Sequence, residues 1–166
     1  MSNKVGFKKL HEEAMVPKRQ TQLSSGFDLY CFDAVTTAQL KNTYNEDFKL
    51  IELQPGERVL VRTAIALQMT DGMEAQVRPR SGLALKQGIT VLNTPGTIDA
   101  DYTGDVGVIL INLGQEPTII QKGDRVAQLV FQAVRHDIEL VELTELTTTE
   151  RGAGGFGHTG VKGDNS

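Results

Sequence analysis

Cysteine is almost absent from this sequence, with Cys31 the single example among 166 residues. One thiol cannot form an intrachain disulfide, so the chain is compatible with a reducing cytoplasm, and a lone cysteine is more often a core filler than a nucleophile. Long apolar runs are also missing, because no stretch of about 18 apolar residues occurs. Residues 1–20 hold no apolar stretch after their charges. We therefore expect a soluble, untargeted, cytoplasmic protein that binds no membrane.

A surplus of positive charge is missing too, since the formal net charge is -4 and the pI is about 5.4. Such a balance gives no electrostatic reason to bind nucleic acid, so any phosphate has to be bound by local groups. A chain of 166 residues has room for one domain with a core and is short for two.

Short β-rich runs bounded by turn signals fill the middle of the chain. Turns are indicated at residues 54–56 and 70–72, where proline or glycine interrupts the apolar pattern. This spacing predicts an all-β barrel or sandwich. The predicted strand regions are 58–69, 74–79, 89–93, 105–113, 118–134 and 138–143.

Three segments depart from the strand pattern. Residues 81–88 predict a helix of about two turns, with Ser81 as the N-cap and Gly88 just past its end. Residues 36–50 are polar and read as an exposed insertion that could contain a helical turn. Residues 144–166 lack a hydrophobic pattern and predict a flexible arm, which leaves 1–143 as the folded domain.

The stretch "RPRSGLALK", residues 78–86, places two arginines before a helix start. Exposed amides, the Ser81 hydroxyl and Arg80 could form an anion site, and Gly82 would let a ligand approach the backbone. On this stretch alone, a capped helix with solvated arginines is slightly favoured.

The stretch "LNTPGTIDADYTGDVGV", residues 92–108, predicts a sharp hairpin that carries Asp99, Asp101 and Asp105. A partly desolvated carboxylate at a strand end, such as Asp99 after an apolar residue, suits a general base. The spacing does not match a calcium-binding EF-hand. Each aspartate taken singly is more often a turn former.

Two further polar residues lie in apolar surroundings. Asp28 in "SGFDLYCFDA" needs a role or a partner, and the alternative is a turn aspartate at a strand edge. Gln128 in "KGDRVAQL" would be a buried amide that needs hydrogen-bond partners, which the fold alone could supply.

The segment "RGAGGFGHTG", residues 151–160, lacks the ending of a phosphate-binding P-loop. A flexible arm could still order over a nucleotide, with Phe156 stacking on a base and Arg151 and Thr159 holding phosphates. The alternative is a disordered terminus.

Together and in this order, the segments strongly resemble the five motifs of the trimeric deoxyuridine triphosphatase (dUTP pyrophosphatase, dUTPase) family. The motifs are "SGFDLYCFDA", "RPRSGLALK", "NTPGTIDADYTGDV", "KGDRVAQLVF" and "RGAGGFGHTG". The resemblance implies a jelly-roll β-barrel homotrimer with the β-clip fold of that family. Three active sites would lie at subunit interfaces, each closed by the exchanged C-terminal arm of a neighbour.

The resemblance also implies the reaction, which is hydrolysis of dUTP to dUMP and pyrophosphate by in-line attack of water on the α-phosphorus. This activity limits uracil in DNA and supplies dUMP for thymidylate synthesis. Asp99 would orient and deprotonate the water, and Tyr102 would pack under the deoxyribose. Mg²⁺ would be bound mainly by the triphosphate, with Asp28 acting on it only through water. The implied substrate-binding residues are Arg80, Ser81, Gly82, Asn93, Gly96, Thr97, Ile98, Tyr102, Gly107, Gln128, Arg151, Phe156, Gly157 and Thr159.

Some features leave alternatives open. His158 stands where the family more often has serine, and Thr103 replaces a common arginine. The 36–50 insertion could be a surface for a regulatory protein partner. The sequence does not distinguish a bacterial chain from a phage-encoded one in a host cytoplasm.

The rival functions are the related deoxycytidine triphosphate deaminase and a nucleotide-sensing interaction protein on the same scaffold.

Overall fold

Antiparallel strands make up nearly all of the regular structure in the computed structural model, which describes residues 4–41 and 43–155. One helix, α1 (Ser81–Gln87), and one 3-10 turn (Thr37–Gln39) accompany the strands. The strands are β1 (Gly6–Lys9), β2 (Phe27–Tyr30), β3 (Asp33–Val35), β4 (Leu50–Leu53), β5 (Arg58–Arg62), β6 (Ile65–Gln68), β7 (Met73–Arg78), β8 (Ile89–Val91), β9 (Gly96–Ile98), β10 (Gly107–Asn112), β11 (Thr118–Gln121) and β12 (Arg125–Ala133).

The described strands form four sheets from eight strand pairs, and every pair is antiparallel. Two sheets have four strands each, in the orders β2-β12-β7-β9 and β3-β5-β10-β8, and two have two strands, β1-β6 and β11-β4. No ladder among the described strands closes into a ring. The predicted all-β class is confirmed.

Alternating side chains build the core between the sheets. Along β10, Val108 and Leu110 are buried, while the residues between them are partly exposed. This period of two is what a strand with one face on a core requires. Asn112 ends the row fully buried, and its amide donates at 2.9 Å to the carbonyls of Leu53 and Glu116. A buried amide satisfied in this way fixes the strand end in register.

Helix α1 ends where the sequence predicts but begins one residue earlier than expected. Gly88 has φ of 69°, in the left-handed region that glycine favours, and its amide donates to Ala84. The N-cap is Arg80, whose side chain makes no cap bond, and Ser81 is the first helical residue. No helix in the described ranges is long and apolar enough to cross a membrane.

The 36–50 insertion contains the predicted helical turn, but it is not wholly exposed. The 3-10 turn Thr37–Gln39 has no buried residue, whereas Phe48 is 7% exposed. Tyr44 packs edge-on against Phe32 with ring centroids 5.2 Å apart. The insertion is held to the sheets by these two aromatic side chains, which the largely polar sequence around them did not indicate.

The predicted hairpin in residues 92–108 is wrong. β8 pairs with β10, whereas β9 pairs with β7, so the two strands belong to different sheets. The turn between them bends sharply, with the Thr94 amide donating to Val91, but it carries the chain from one sheet to the other. Turn residues specify the bend and do not specify which strand pairs next.

The chain divides into two compact units, residues 1–136 and 137–166. In the second unit the strand expected at 138–143 is absent, because an extended segment without a ladder partner cannot form one. Several apolar side chains there are exposed: Ile138, Leu140, Val141, Leu143 and Leu146. The expected boundary at 143 and the role of 144–166 as an arm stay predictions.

Gly88→Ala should destabilise the protein more than Gly56→Ala. Both glycines have a positive φ, so each substitution costs about 1 kcal/mol of backbone strain. A β-carbon at position 56 meets nothing within 4 Å, but at position 88 it would overlap the backbone of Gly114. We expect an additional loss of about 1–3 kcal/mol for Gly88→Ala from this overlap. Urea unfolding at one protein concentration measures both, and equal losses would contradict the account.

Candidate active site

A row of polar side chains crosses three adjacent strands of the β2-β12-β7-β9 sheet. Gln128 on β12 lies directly opposite Asp28 on β2 and opposite Arg78 on β7. Residues directly opposite one another in neighbouring strands project from the same face. The register therefore brings together the motifs that the sequence separates by up to about a hundred residues.

Asp28 is the centre of an ion cluster. The carboxylate is 8% exposed, and it lies 3.4 Å from Arg80 Nε and 3.2 Å from Arg125 Nη1. Arg80 also donates from Nη1 to the Arg125 carbonyl at 2.9 Å. The expectation that Asp28 has a partner is confirmed, and the alternative of a turn aspartate is wrong because Asp28 lies inside β2. One buried carboxylate fixes two arginines, whose remaining donors suit a polyanion.

The Gln128 amide is satisfied by the backbone that leads into α1. Its Nε2 donates to the Pro79 carbonyl at 2.9 Å, so the predicted partner is confirmed, but Gln128 is only partly buried and not buried as predicted. A β-carbon on Gly26 would overlap the Gln128 side chain, so a glycine at this place keeps room for the amide. Next along the chain, Ser81 and Gly82 are exposed, and a β-carbon on Gly82 would face open space.

The second group of predicted residues lies around β9. Asn93 precedes the strand, and its amide lies close to the Gly96 backbone, where a β-carbon would come within 3.3 Å of it. Thr97 and Ile98 lie within β9, which is the edge strand of its sheet, so one side of its backbone has no ladder partner among residues 4–41 and 43–155. Asp99 follows directly and is exposed, where the sequence predicted partial burial.

The loop after Asp99 is folded back on itself. The Tyr102 amide donates to the Asp99 carbonyl at 3.1 Å, and the Tyr102 hydroxyl donates to the Asp105 carbonyl at 3.0 Å. The Tyr102 ring lies against Gly104, where a β-carbon would be 2.6 Å from Cζ. Tyr102 is 45% exposed and presents the rest of its ring to solvent.

Strand register separates Asp99 from the arginine cluster within one chain. Ile98 lies opposite Ala75, so Asp99 leaves the sheet at the beginning of β7, while Arg80 follows the end of that strand. Arg80 is five residue steps along the chain from Ala75, which is roughly 16 Å at about 3.3 Å per step. The phosphate-binding candidates and Asp99 therefore lie at opposite ends of one strand pair.

Sequence reasoning missed three residues that the structure places at or beside these groups. Arg125 stands inside the quoted "KGDRVAQLVF" segment, and its position there was a usable signal. Arg62 and Tyr44 both contact Asp105, through Nε at 3.3 Å and the hydroxyl at 3.2 Å. No local pattern connects these two positions to residue 105, so only the fold shows the contact.

Asp105 is a partly buried carboxylate whose pKa is raised by desolvation, while the Arg62 guanidinium opposes the rise. The pKa of Tyr44 is raised to about 12 by burial and then by the charge of Asp105. The phenol therefore stays protonated at neutral pH and donates to the carboxylate.

The other predicted residues lie in β10, in the second unit or outside the described residues. Gly107 lies in β10, where a β-carbon would be 2.9 Å from Leu60 Cδ1, and its nearest contacts are structural. In the second unit, Arg151 is exposed and donates from Nε to the Gly154 carbonyl at 2.9 Å. Three predicted contacts and the variant histidine lie outside the described residues: Phe156, Gly157, Thr159 and His158.

The donor set fits Mg²⁺ held through water and phosphate. Both oxygens of Asp28 bond to an arginine, which leaves lone pairs for water. In the ranges 4–41 and 43–155, no three His, Cys, Asp or Glu side chains cluster closely enough to hold a metal ion. Mg²⁺ keeps several waters and usually binds nucleotides through their phosphates, so it needs no protein cage here.

Two arginines fixed beside a helix start on an all-β body form a site that suits phosphate groups, as in proteins that bind nucleotides. Within that class, the family model for dUTPase matches residues 47–160, so the chain belongs to the dUTPase family. A relative from Heliobacterium modesticaldum, named deoxyuridine 5'-triphosphate nucleotidohydrolase, is 65% identical over 158 residues. The match covers 95% of this chain and 97% of that protein. The resemblance of the five motifs is confirmed.

Solved structures agree on the fold. A mutant dUTPase of Staphylococcus bacteriophage 80alpha with dUpNHpp matches at a TM-score of 0.80 and 23% identity, over 96% of this chain and all of that one. A mutant dUTPase from phage phi11 of S. aureus matches at a TM-score of 0.69 and 22% identity, over 86% of this chain and 98% of that one. Coordination of a structural Mg(II) ion is described for the phi11 protein.

The Cys31 thiol should be unreactive in the native protein. Cys31 is 2% exposed, and burial raises the pKa of its thiol to about 12, with Asp124 contributing. Only the thiolate is nucleophilic, so a thiol reagent at pH 8 should label the protein in denaturant and not in buffer. Rapid labelling of the native protein would contradict its assignment to the core. Dithiothreitol-treated unfolded protein serves as the control for full reaction.

Proposed function

We propose that this chain is an enzyme that hydrolyses dUTP to dUMP and pyrophosphate. Membership of the dUTPase family and the name of its 65% identical relative support this activity. The observation that carries it in the structure is the Asp28 cluster, which aims two arginines at one place beside α1. Such hydrolysis limits uracil in DNA and supplies dUMP for thymidylate synthesis.

Asp99 acts as the general base. Its carboxylate accepts a proton from water as the water oxygen attacks the α-phosphorus, and the bond from that phosphorus to the bridging oxygen breaks. Pyrophosphate leaves with the electron pair of the broken bond. Phosphoryl chemistry asks mainly for positioning and charge neutralisation, and general base catalysis contributes about 10²–10⁴-fold. The exposed position of Asp99 in one chain leaves it free to face a neighbouring chain.

The phosphate chain lies against the arginine cluster. Arg80 is held by Asp28 and by the Arg125 carbonyl, so its free donors have a fixed direction. Ser81 adds a hydroxyl and Gly82 adds an open backbone surface. The Gln128 amide donates to the Pro79 carbonyl and so fixes the backbone that leads to them. Mg²⁺ would be held mainly by the triphosphate, with Asp28 contacting it only through water, and it would supply positive charge to neutralise the phosphates.

The β9 edge reads the base. Unpaired backbone groups of an edge strand can donate to and accept from a planar partner, as they do in strand addition. Gly96, Thr97 and Ile98 offer such groups to uracil, with the Asn93 amide beside them. Tyr102 packs under the deoxyribose and leaves no room for a 2′-hydroxyl. Gly107 completes the slot at the start of β10.

The active enzyme is a homotrimer with sites shared between chains. Two observations support this assembly: the span of roughly 16 Å along β7 from Ala75, beside the end of β9, to Arg80, and the exposed apolar side chains of residues 138–146. A second chain can supply Asp99 opposite the arginines, and a neighbour can cover the apolar residues. Arg151, Phe156, Gly157 and Thr159 then close the site from a third chain.

Two further expectations remain proposals. The protein acts in the cytoplasm, whether bacterial or that of a phage host. A regulatory protein partner could bind the exposed face of the 36–50 insertion around Thr37–Gln39, which has no buried residue. No nucleic acid or membrane is expected as a partner.

Incubation with each dNTP and Mg²⁺ tests the activity. We expect pyrophosphate release from dUTP alone, because the uracil slot and Tyr102 select base and sugar together. Ammonia release from dCTP would identify the deaminase instead, and binding of dUTP without turnover would identify a nucleotide sensor.

Asp99→Asn tests the base. The amide cannot accept the proton from water, so turnover should fall by about 10²–10⁴-fold while dUTP affinity is kept. The matched control is Asp101→Asn, an exposed aspartate in the same loop, which should keep near-normal turnover. Single-turnover hydrolysis and equilibrium binding separate the two quantities. Equal loss in both variants, or none in Asp99→Asn, would contradict the assignment.

A further inference from the structure

Asp105 lies at the foot of the loop that carries Asp99 and Tyr102. Its carboxylate accepts from the Tyr44 hydroxyl at 3.2 Å, from Arg62 Nε at 3.3 Å and from Thr63 Oγ1 at 3.4 Å. Its backbone carbonyl accepts from the Tyr102 hydroxyl at 3.0 Å. One residue therefore connects the loop tyrosine to groups on β5 and in the 36–50 insertion.

Arg62 makes two contacts with the 36–50 insertion. Its guanidinium lies 3.9 Å above the centre of the Tyr44 ring, and Nη1 donates to the Thr43 carbonyl at 3.0 Å. The side chains of Arg62 and Asp105 are only 13% and 14% exposed. A charged pair held this far from solvent depends on each of its hydrogen-bond partners.

Tyr44 is itself held by aromatic neighbours on the core side of its ring. Its ring packs edge-on against Phe32, a buried residue, and more distantly against His11, with centroids 5.2 and 6.4 Å away. The phenol cannot leave Asp105 without disturbing this aromatic group. The insertion thus supports the loop through a rigid contact.

The position of the Tyr102 side chain depends on Asp105. Its ring lies against Gly104, and its hydroxyl is held by the Asp105 carbonyl. A shift of Asp105 would therefore move the hydroxyl of Tyr102 and tilt its ring. A small displacement of a group that excludes a single hydroxyl changes discrimination directly, because selectivity depends on steric contact over a fraction of an ångström.

We propose that Tyr44, in the 36–50 insertion, is a positioning residue that sets Tyr102 through Asp105 and so sharpens the preference of the enzyme for deoxyribose over ribose. This inference rests on the role of Tyr102 given under the proposed function. Tyr44 touches no substrate, and its contribution is the direction in which it holds the loop.

Tyr44→Phe is the direct test, because it keeps the ring against Arg62 and Phe32 and removes only the hydroxyl. We expect the ratio of kcat/KM for dUTP to that for UTP to fall about 2- to 30-fold, the range of remote couplings. The matched control is Glu46→Gln, an exposed residue of the same insertion, for which the ratio should be unchanged. A melting temperature for each variant shows whether it is folded. A Tyr44→Phe protein with lower stability but an unchanged ratio would make the residue merely structural and overturn the inference.

A double-mutant cycle with Tyr102→Phe tests the route. Tyr102→Phe removes the hydroxyl that bonds the Asp105 carbonyl, so Tyr44→Phe should change the ratio much less in that background. Additive effects would show that Tyr44 acts by another route and would overturn the inference.

Tyr102→Ala separates this inference from the proposed function. If Tyr102→Ala abolishes discrimination and Tyr44→Phe leaves it intact, the inference is wrong and the proposed function stands. If discrimination survives Tyr102→Ala, the role of Tyr102 is wrong and the inference fails with it. A wild-type protein without dUTP hydrolysis would remove the proposed function itself.

Discussion

The register of one antiparallel sheet decides where chemistry can take place in this protein. Gln128 on β12 lies opposite Asp28 on β2 and opposite Arg78 on β7. Arg80 follows the end of β7 and contacts Asp28 there. β9 runs the opposite way beside β7, so it releases Asp99 at the far end. Antiparallel pairing thus places Arg80 and Arg125 at one end of the sheet and the Asp99 carboxylate at the other. This separation supports the proposal that a complete site is made between chains.

Parts of this arrangement could be predicted from local sequence. Gly88 has the positive φ that a helix end needs, and the alternating apolar residues of β10 give a buried face. The need of Asp28 for a partner also followed from its apolar neighbours. The identity of those partners did not, because Arg125 is 97 residues away along the chain. Pairing across such distances is set by the whole fold and leaves no local pattern.

The wrong predictions share a physical cause. Residues 92–95 carry clear turn signals, yet β8 and β9 pair in different sheets, since a bend fixes direction and not the strand that follows. Residues 138–143 have the composition of a strand but no ladder in one chain. The 36–50 insertion is polar on average, and two aromatic residues decide how it packs. In the first and third cases tertiary contacts outweigh local propensity, and in the second the described residues offer no ladder partner.

Complementation between two inactive chains tests the shared site most directly. Asp99→Asn lacks the base and Arg80→Gln lacks a phosphate contact, so each homo-oligomer should be inactive. Joint refolding of equal amounts should restore roughly a quarter of wild-type turnover, because each site draws the two groups from different chains at random. A mixture that stays as inactive as its parents, while mass measurement shows mixed oligomers, would contradict an active site built from more than one chain.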